Sequence, residues 1–324
     1  MKPDALLRGA LLACALAWAG AAHAQTWPAK PVRLIVPFPP GGTADTLGRI
    51  VVGKLGDTLG QTFVIENRSG AGGLIGSELA AQAKPDGYTL VVSGVASHVL
   101  APALAAKAPF DPLKDATHIA LLGGPPAVFA VHPSLPARSV KEFVALARAR
   151  PAELSYGSPG NGTMGQLVAE RFKKLAGIQV THVPYKGAAI AVVDVMAGHI
   201  QSLSTTLTTA SAAIRSGRIR ALAISSDARL KDYPGVPTFR ESGYGELVAT
   251  IWFGFSGPAG MPPEIVQRLN AEVQRVLRLP DVRERLRPDG FEPNAVDADA
   301  FTRFVAAEIQ RWGPIVRASG ARAD

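Results

Sequence analysis

The sequence predicts a two-domain α/β protein, and three features carry that expectation. Short apolar runs lead into Gly, Pro, Ser or Thr turns and then into apolar residues at helical spacing, repeatedly along the chain. The runs are apolar nearly throughout rather than alternating, which suits strands of a mostly parallel sheet covered by helices on both faces. A length of 324 residues with 47% hydrophobic content exceeds one usual domain and is enough for two cores.

The N-terminus reads as an export leader over residues 1–24. Lys2 and Arg8 give a positive start, Ala10 to Ala22 is apolar, and Ala22-His23-Ala24 has the small-x-small form of a cleavage site, so the mature chain is expected to begin at Gln25. The apolar run falls short of the roughly 20 residues that span a bilayer. Leu11-Leu12-Ala13-Cys14 is similar to a lipoprotein site but comes too soon after Arg8, which leaves a lipid anchor as the alternative. Cys14 is the only cysteine, so cleavage removes every thiol. The formal charge of +8 drops by one with loss of Lys2, Asp4 and Arg8. The arginines are scattered on helix faces without interleaved aromatics, so nucleic acid is not expected as a partner.

In chain order, Val32 to Val36 is a strand, Pro37 to Gly42 a turn, and Leu47, Ile50, Val51 and Leu55 mark a helix with Thr43 as its expected N-cap. Glycines there serve either a tight turn or an anion cradle, because a strand that turns into a helix aims free N–H groups and a positive dipole end at one point. Thr62 to Glu66, Tyr88 to Val92 and Ile119 to Leu122 repeat the strand pattern, with turns at Asn67 to Gly73, Ser93 to Ser97 and Gly123 to Pro126. The turns after such strands converge on one crevice. At Ala127 to His132 the pattern restarts, and Ser139 with Glu142 forms a capping box. Ile251 to Ser256, followed by Pro262-Pro263 and a helix through Ile265, Leu269 and Val273, matches it downstream. The two units suggest paired crossings, with residues 25–126 and 250–324 forming one domain and 127–249 the other.

The segment Gly160-Asn161-Gly162-Thr163-Met164-Gly165 fits G-x-G-x-x-G between a strand and a helix. It lacks the acid some 20 residues on that a dinucleotide ribose needs, so only the anion-cradle physics is kept. Tyr185-Lys186-Gly187 is a similar turn, or an ordinary exposed one. There is no G-x-S-x-G elbow and no histidine pair at zinc spacing, so catalysis, a metal and a cofactor are not expected, although a secreted hydrolase stays open as an alternative.

These residues also carry a family resemblance along Trp27 to Asp324. The stretches WPAKPVRLIVPFPPGGTADTLGR, VIENRSGAGGLIGSELAAQAKPDGYTL, PFDPLKDATHIALLG, VHPSLPARSVKEF, YGSPGNGT, VPYKGAA, RALAISS, YPGVPTFRESGYG, WFGFSGPAGMPPEIVQRLNAEV and AEIQRWGPIVRASG resemble the Bug family, the periplasmic solute receptors of tripartite tricarboxylate transporters. The resemblance implies a Venus-flytrap, type II-like binding-protein fold, a periplasmic monomer without catalysis, and a small organic carboxylate passed to a membrane permease. A sensor in place of the permease is the alternative partner. It also implies a binding site on four turns: Phe38, Gly41, Gly42, Thr43, Ala44 and Asp45; Ser93 and Ser97; Ser158, Gly162 and Thr163; and Tyr185, Lys186 and Gly187. Thr205 and Thr206 complete it. Departures fall at Gln166, Ala101 and Thr205-Thr206, where the family commonly has His, Asn and Asp-Asn, so the ligand's identity stays open.

Overall fold

The computed structural model describes residues 27–294 and 296–318. The expected leader and its cleavage after Ala24 lie outside the described residues. The chain opens with β1 (Val32–Val36), α1 (Thr43–Leu59), β2 (Phe63–Asn67), α2 (Leu74–Ala81) and β3 (Thr89–Gly94). A π-helical turn (Ala96–Leu100) and α3 (Ala101–Leu104) then lead to β4 (Ala116–Gly124). From β5 (Ala127–Val131) it continues through α4 (Val140–Ala149), β6 (Ser155–Ser158), α5 (Met164–Ala176), β7 (Thr181–Pro184), α6 (Ala188–Met196), β8 (Ser202–Thr206), α7 (Leu207–Arg215) and β9 (Arg220–Ile224). It closes with β10 (Phe253–Pro258), α8 (Pro263–Arg278), α9 (Pro280–Leu286), β11 (Glu292–Pro293) and α10 (Ala298–Ala318).

The strands form a six-stranded sheet in the order β11-β4-β10-β3-β1-β2 and a five-stranded sheet in the order β7-β6-β8-β5-β9, each the spine of one lobe. Both sheets are mixed: most strands of each point one way, as expected, and a central strand is reversed. β1 pairs parallel with β2 and β3, but β10 runs against both β3 and β4. Likewise β6 pairs parallel with β7 and β8, while β5 runs against both β8 and β9. The reason is topological. β5 and β10 each follow a crossing from the other lobe, so each enters its sheet at the end where the neighbouring strands leave it.

The crossings lie side by side. Ile251 N–H donates to Pro125 O at 2.9 Å, Pro126 bridges Thr250, and a side chain at Gly124 would strike Ile251 O. Helix ends follow local chemistry. Ser139 caps α4 by accepting from Glu142 N–H at 3.2 Å, and Pro263 occupies the first turn of α8, where a missing N–H costs nothing. One core cluster packs β1, β3 and β4 with α1 and α8, and the second lobe adds an aromatic nest in which Phe129 and Phe143 meet edge to face at 4.9 Å.

Candidate functional site

A cavity of ≈ 70 Å³ lies between the lobes. The first lobe lines it with Phe38, Pro39, Gly42, Thr43 and Ala44 after β1, Gly94 to Ala96 after β3, and Ile251 and Phe253 at the second crossing. The second lobe supplies Pro159 and Thr163 to Gly165 after β6, Ala188 after β7, and Thr206 at the end of β8. α1, α5, α6 and α7 all begin here, and their caps, Gly42, Thr163, Gly187 and Thr206, make no side-chain cap bond. First-turn N–H groups and positive dipole ends therefore surround a space that no charged side chain lines among the described residues.

The lobes meet directly around it. Thr43 begins α1 and is not its cap, contrary to the sequence reading, because Gly42 takes the extended cap conformation. The Thr43 hydroxyl instead reaches across to Thr206 Oγ1 at 2.6 Å and Thr209 Oγ1 at 3.0 Å, and those two lie 3.0 Å apart. A side chain at Gly187 would come within 2.9 Å of Pro39, so glycine there permits the close approach of the lobes.

Of the residues expected in the site, Phe38, Gly42, Thr43, Ala44, Thr163 and Thr206 line the cavity, and the others stand behind it or apart. Asp45 is buried and committed. Its carboxylate accepts from Gly41 N–H (3.1 Å), Arg49 Nε (3.0 Å) and Asn67 Nδ2 (3.0 Å), and Asn67 also donates to Phe38 O. Burial raises the Asp45 pKa, but the donors from Arg49, Asn67 and Gly41 outweigh it and hold the carboxyl below its ordinary range. Asp45 therefore fixes the turn, Gly41 included, and leaves the ligand to its neighbours.

Ser93 and Ser97 are fully buried beneath the cavity. Ser93 Oγ lies 2.8 Å from Ser256 Oγ, which lies 2.9 Å from His118 Nδ1, and His118 Nε2 donates to Pro112 O at 3.0 Å. Ser97 Oγ meets His98 Nδ1 at 3.0 Å, and the two imidazoles pack edge to face. Burial pushes both histidines toward the neutral form, His118 to about 4.

In the second lobe the turn after β6 is held by uncharged groups. Gly162 N–H donates to Gln166 Oε1 at 2.8 Å and is thereby spent, while Thr163 Oγ1 donates to Gly160 O at 2.7 Å. Ser158 Oγ sits 2.7 Å from His182 Nε2. Tyr185 turns its hydroxyl to Asp194 at 2.7 Å, and Lys186 is exposed outside the cavity lining. Thr205 is fully buried on the opposite face of β8 from Thr206, since successive strand residues alternate. The sequence reading missed Met164, Ile251 and Phe253, apolar residues indistinguishable by type from core, and had Val95 only as part of the turn Ser93 to Ser97.

The chain matches the tripartite tricarboxylate transporter family receptor over residues 47–321. It belongs to that family. The receptor is similar to Protein BugT of Bordetella pertussis (strain Tohama I), with 37% identity over 300 residues and 92% of each chain covered. It is also similar to two solved structures from R. palustris. Rpa4515 with adipate shares 34% identity over 91% of this chain and 99% of that one, at a TM-score of 0.88. MatC with bound malate shares 32% over 90% and 100%, at a TM-score of 0.84. The two-lobed fold is thus that of a solute receptor of the Bug type.

Proposed function

We propose that this receptor captures a small organic carboxylate between its lobes in the periplasm and presents it to a tripartite tricarboxylate-type permease. The observation that carries the reading is the convergence of four uncapped helix starts, from both lobes, on a cavity that no charged side chain lines among the described residues. Oriented N–H groups and dipoles stabilise a carboxylate there without a buried cation. Relatives of the same fold with adipate and malate support the ligand class. Residues 25–126 with 250–324 and residues 127–249 are read as the two domains, hinged where the crossings lie side by side. A catalytic role gains no support from the Ser158–His182 pair, because Ser158 is fully buried and its hydroxyl also contacts Gly160. Mass spectrometry of the small molecule released on denaturing the purified protein tests the reading: a carboxylic acid is expected, and a neutral or cationic solute overturns it.

A further inference from the structure

Granted the carboxylate reading above, the walls of the cavity narrow the class of acid. Phe38, Val95, Met164, Ile251 and Phe253 offer hydrocarbon. The polar side chains that line it are threonines, and their hydroxyls are already engaged. Thr43 and Thr206 bond each other and Thr209, and Thr163 donates to Gly160 O. The buried carboxylate behind the first wall, Asp45, is surrounded by Gly41, Arg49 and Asn67. An ammonium group in this space would face the positive ends of helices with no carboxylate to pair with, and burying a charge unpaired is strongly unfavourable.

We infer that the cleft selects organic acids with an uncharged, largely hydrocarbon body and rejects α-amino acids, with Thr206 the position that sets the choice. Thr206 sits at the second lobe's edge of the cavity, on the cap of α7, where an acidic side chain would supply the missing partner for an ammonium.

Calorimetry on the mature protein, unfolded and refolded to free it of bound solute, tests this with matched pairs: succinate and aspartate, glutarate and glutamate, adipate and 2-aminoadipate. In every pair that binds, the acid without the amino group is expected to be tighter by at least about 100-fold. An amino acid binding within about threefold of its partner overturns the inference while leaving the carboxylate reading intact. Binding by none of the acids, benzoate included, overturns both. Thr206→Asp, checked for native circular dichroism, is expected to weaken the diacids and strengthen the amino acids, each by roughly tenfold. Thr206→Asn, which adds no charge, is expected not to reverse the order, and a reversal by Asn equal to that by Asp removes Thr206 as a charge-selecting position.

Discussion

The turn after β1 and the turn after β6 do the same job on opposite walls of the cleft, yet they are held by different chemistry. In the first lobe a buried carboxylate, Asp45, gathers a backbone N–H, an amide and a guanidinium, and a pair of buried imidazoles lies beneath the neighbouring turn. In the second lobe an amide, Gln166, and hydroxyls do the holding, and the buried hydroxyls of Ser204, Thr205 and Thr208 have no protein partner. The first clamp therefore depends on an ionised carboxylate and the second on neutral groups, while buried hydroxyls without a protein partner occur in both lobes, Ser77 being one in the first. Trp27, Trp252 and Trp312, the tryptophans among the described residues, pack beside Tyr88 or donate to Glu308 of α10, so indole fluorescence follows the side of the molecule that carries the first sheet.

The largest expected effect breaks the symmetry with acid. His118 is buried neutral, its pKa lowered from 6.5 to about 4, so below pH 6.5 the unfolded chain takes up a proton that the folded chain refuses. Stability is then lost as pH falls from 6.5 toward 4, by about 3 kcal/mol from His118 alone. Asp45, with its lowered pKa, contributes stability that is present above 3.8 and lost as the pH falls through its folded value. Urea titrations followed by tryptophan emission at pH 7 and pH 4.5 measure the loss. A midpoint unchanged between the two would show that the histidines are not buried neutral.

Next in size, Asp45→Ala strands Gly41 N–H and Asn67, and a cost of about 2 kcal/mol is expected, against about 1 kcal/mol for the neutral counterpart Gln166→Ala. Both are read by denaturant unfolding, and equal costs would erase the contrast between a charged and a neutral clamp. Thr205→Val works in the other direction. It replaces an unpartnered buried hydroxyl by a methyl of similar shape and is expected to stabilise by up to about 1 kcal/mol, visible as a raised melting temperature. Smallest is Lys186→Ala. The side chain is exposed, so a change in ligand affinity below about 0.5 kcal/mol is expected by calorimetry, and a loss of about tenfold or more would move recognition from the helix starts to the Lys186 charge.

The order of strands, turns and helices was legible because each element is announced locally, by the apolar run Val32 to Val36, by Ser139 with Glu142, or by Pro263. The reversal of β5 and β10 was not, since strand direction within a sheet depends on where the chain enters it and leaves no mark on composition. The turns that make the cavity were legible for the same local reason, whereas the residues that look into it were not. Thr205 and Thr206 differ only by one step of a strand, and Gly162 loses its N–H to a residue four positions on. Such choices are settled by packing between segments distant in sequence. The Thr43–Thr206 contact, for example, joins residues 163 positions apart.

The place of β10 also has a consequence in time. It lies between β4 and β3, in the middle of the first lobe's sheet, although it is made long after both. The second lobe draws every strand from the unbroken stretch 127–224. A chain emerging from its N-terminus can therefore finish the second lobe while the first is still a three-stranded piece, β3-β1-β2, and a lone β4, both with open edges, waiting for residues 253–258 to join them. The cleft, which needs a wall from each, comes into being only with the final quarter of the polypeptide, so the capacity to hold a solute is the last property that the maturing molecule acquires.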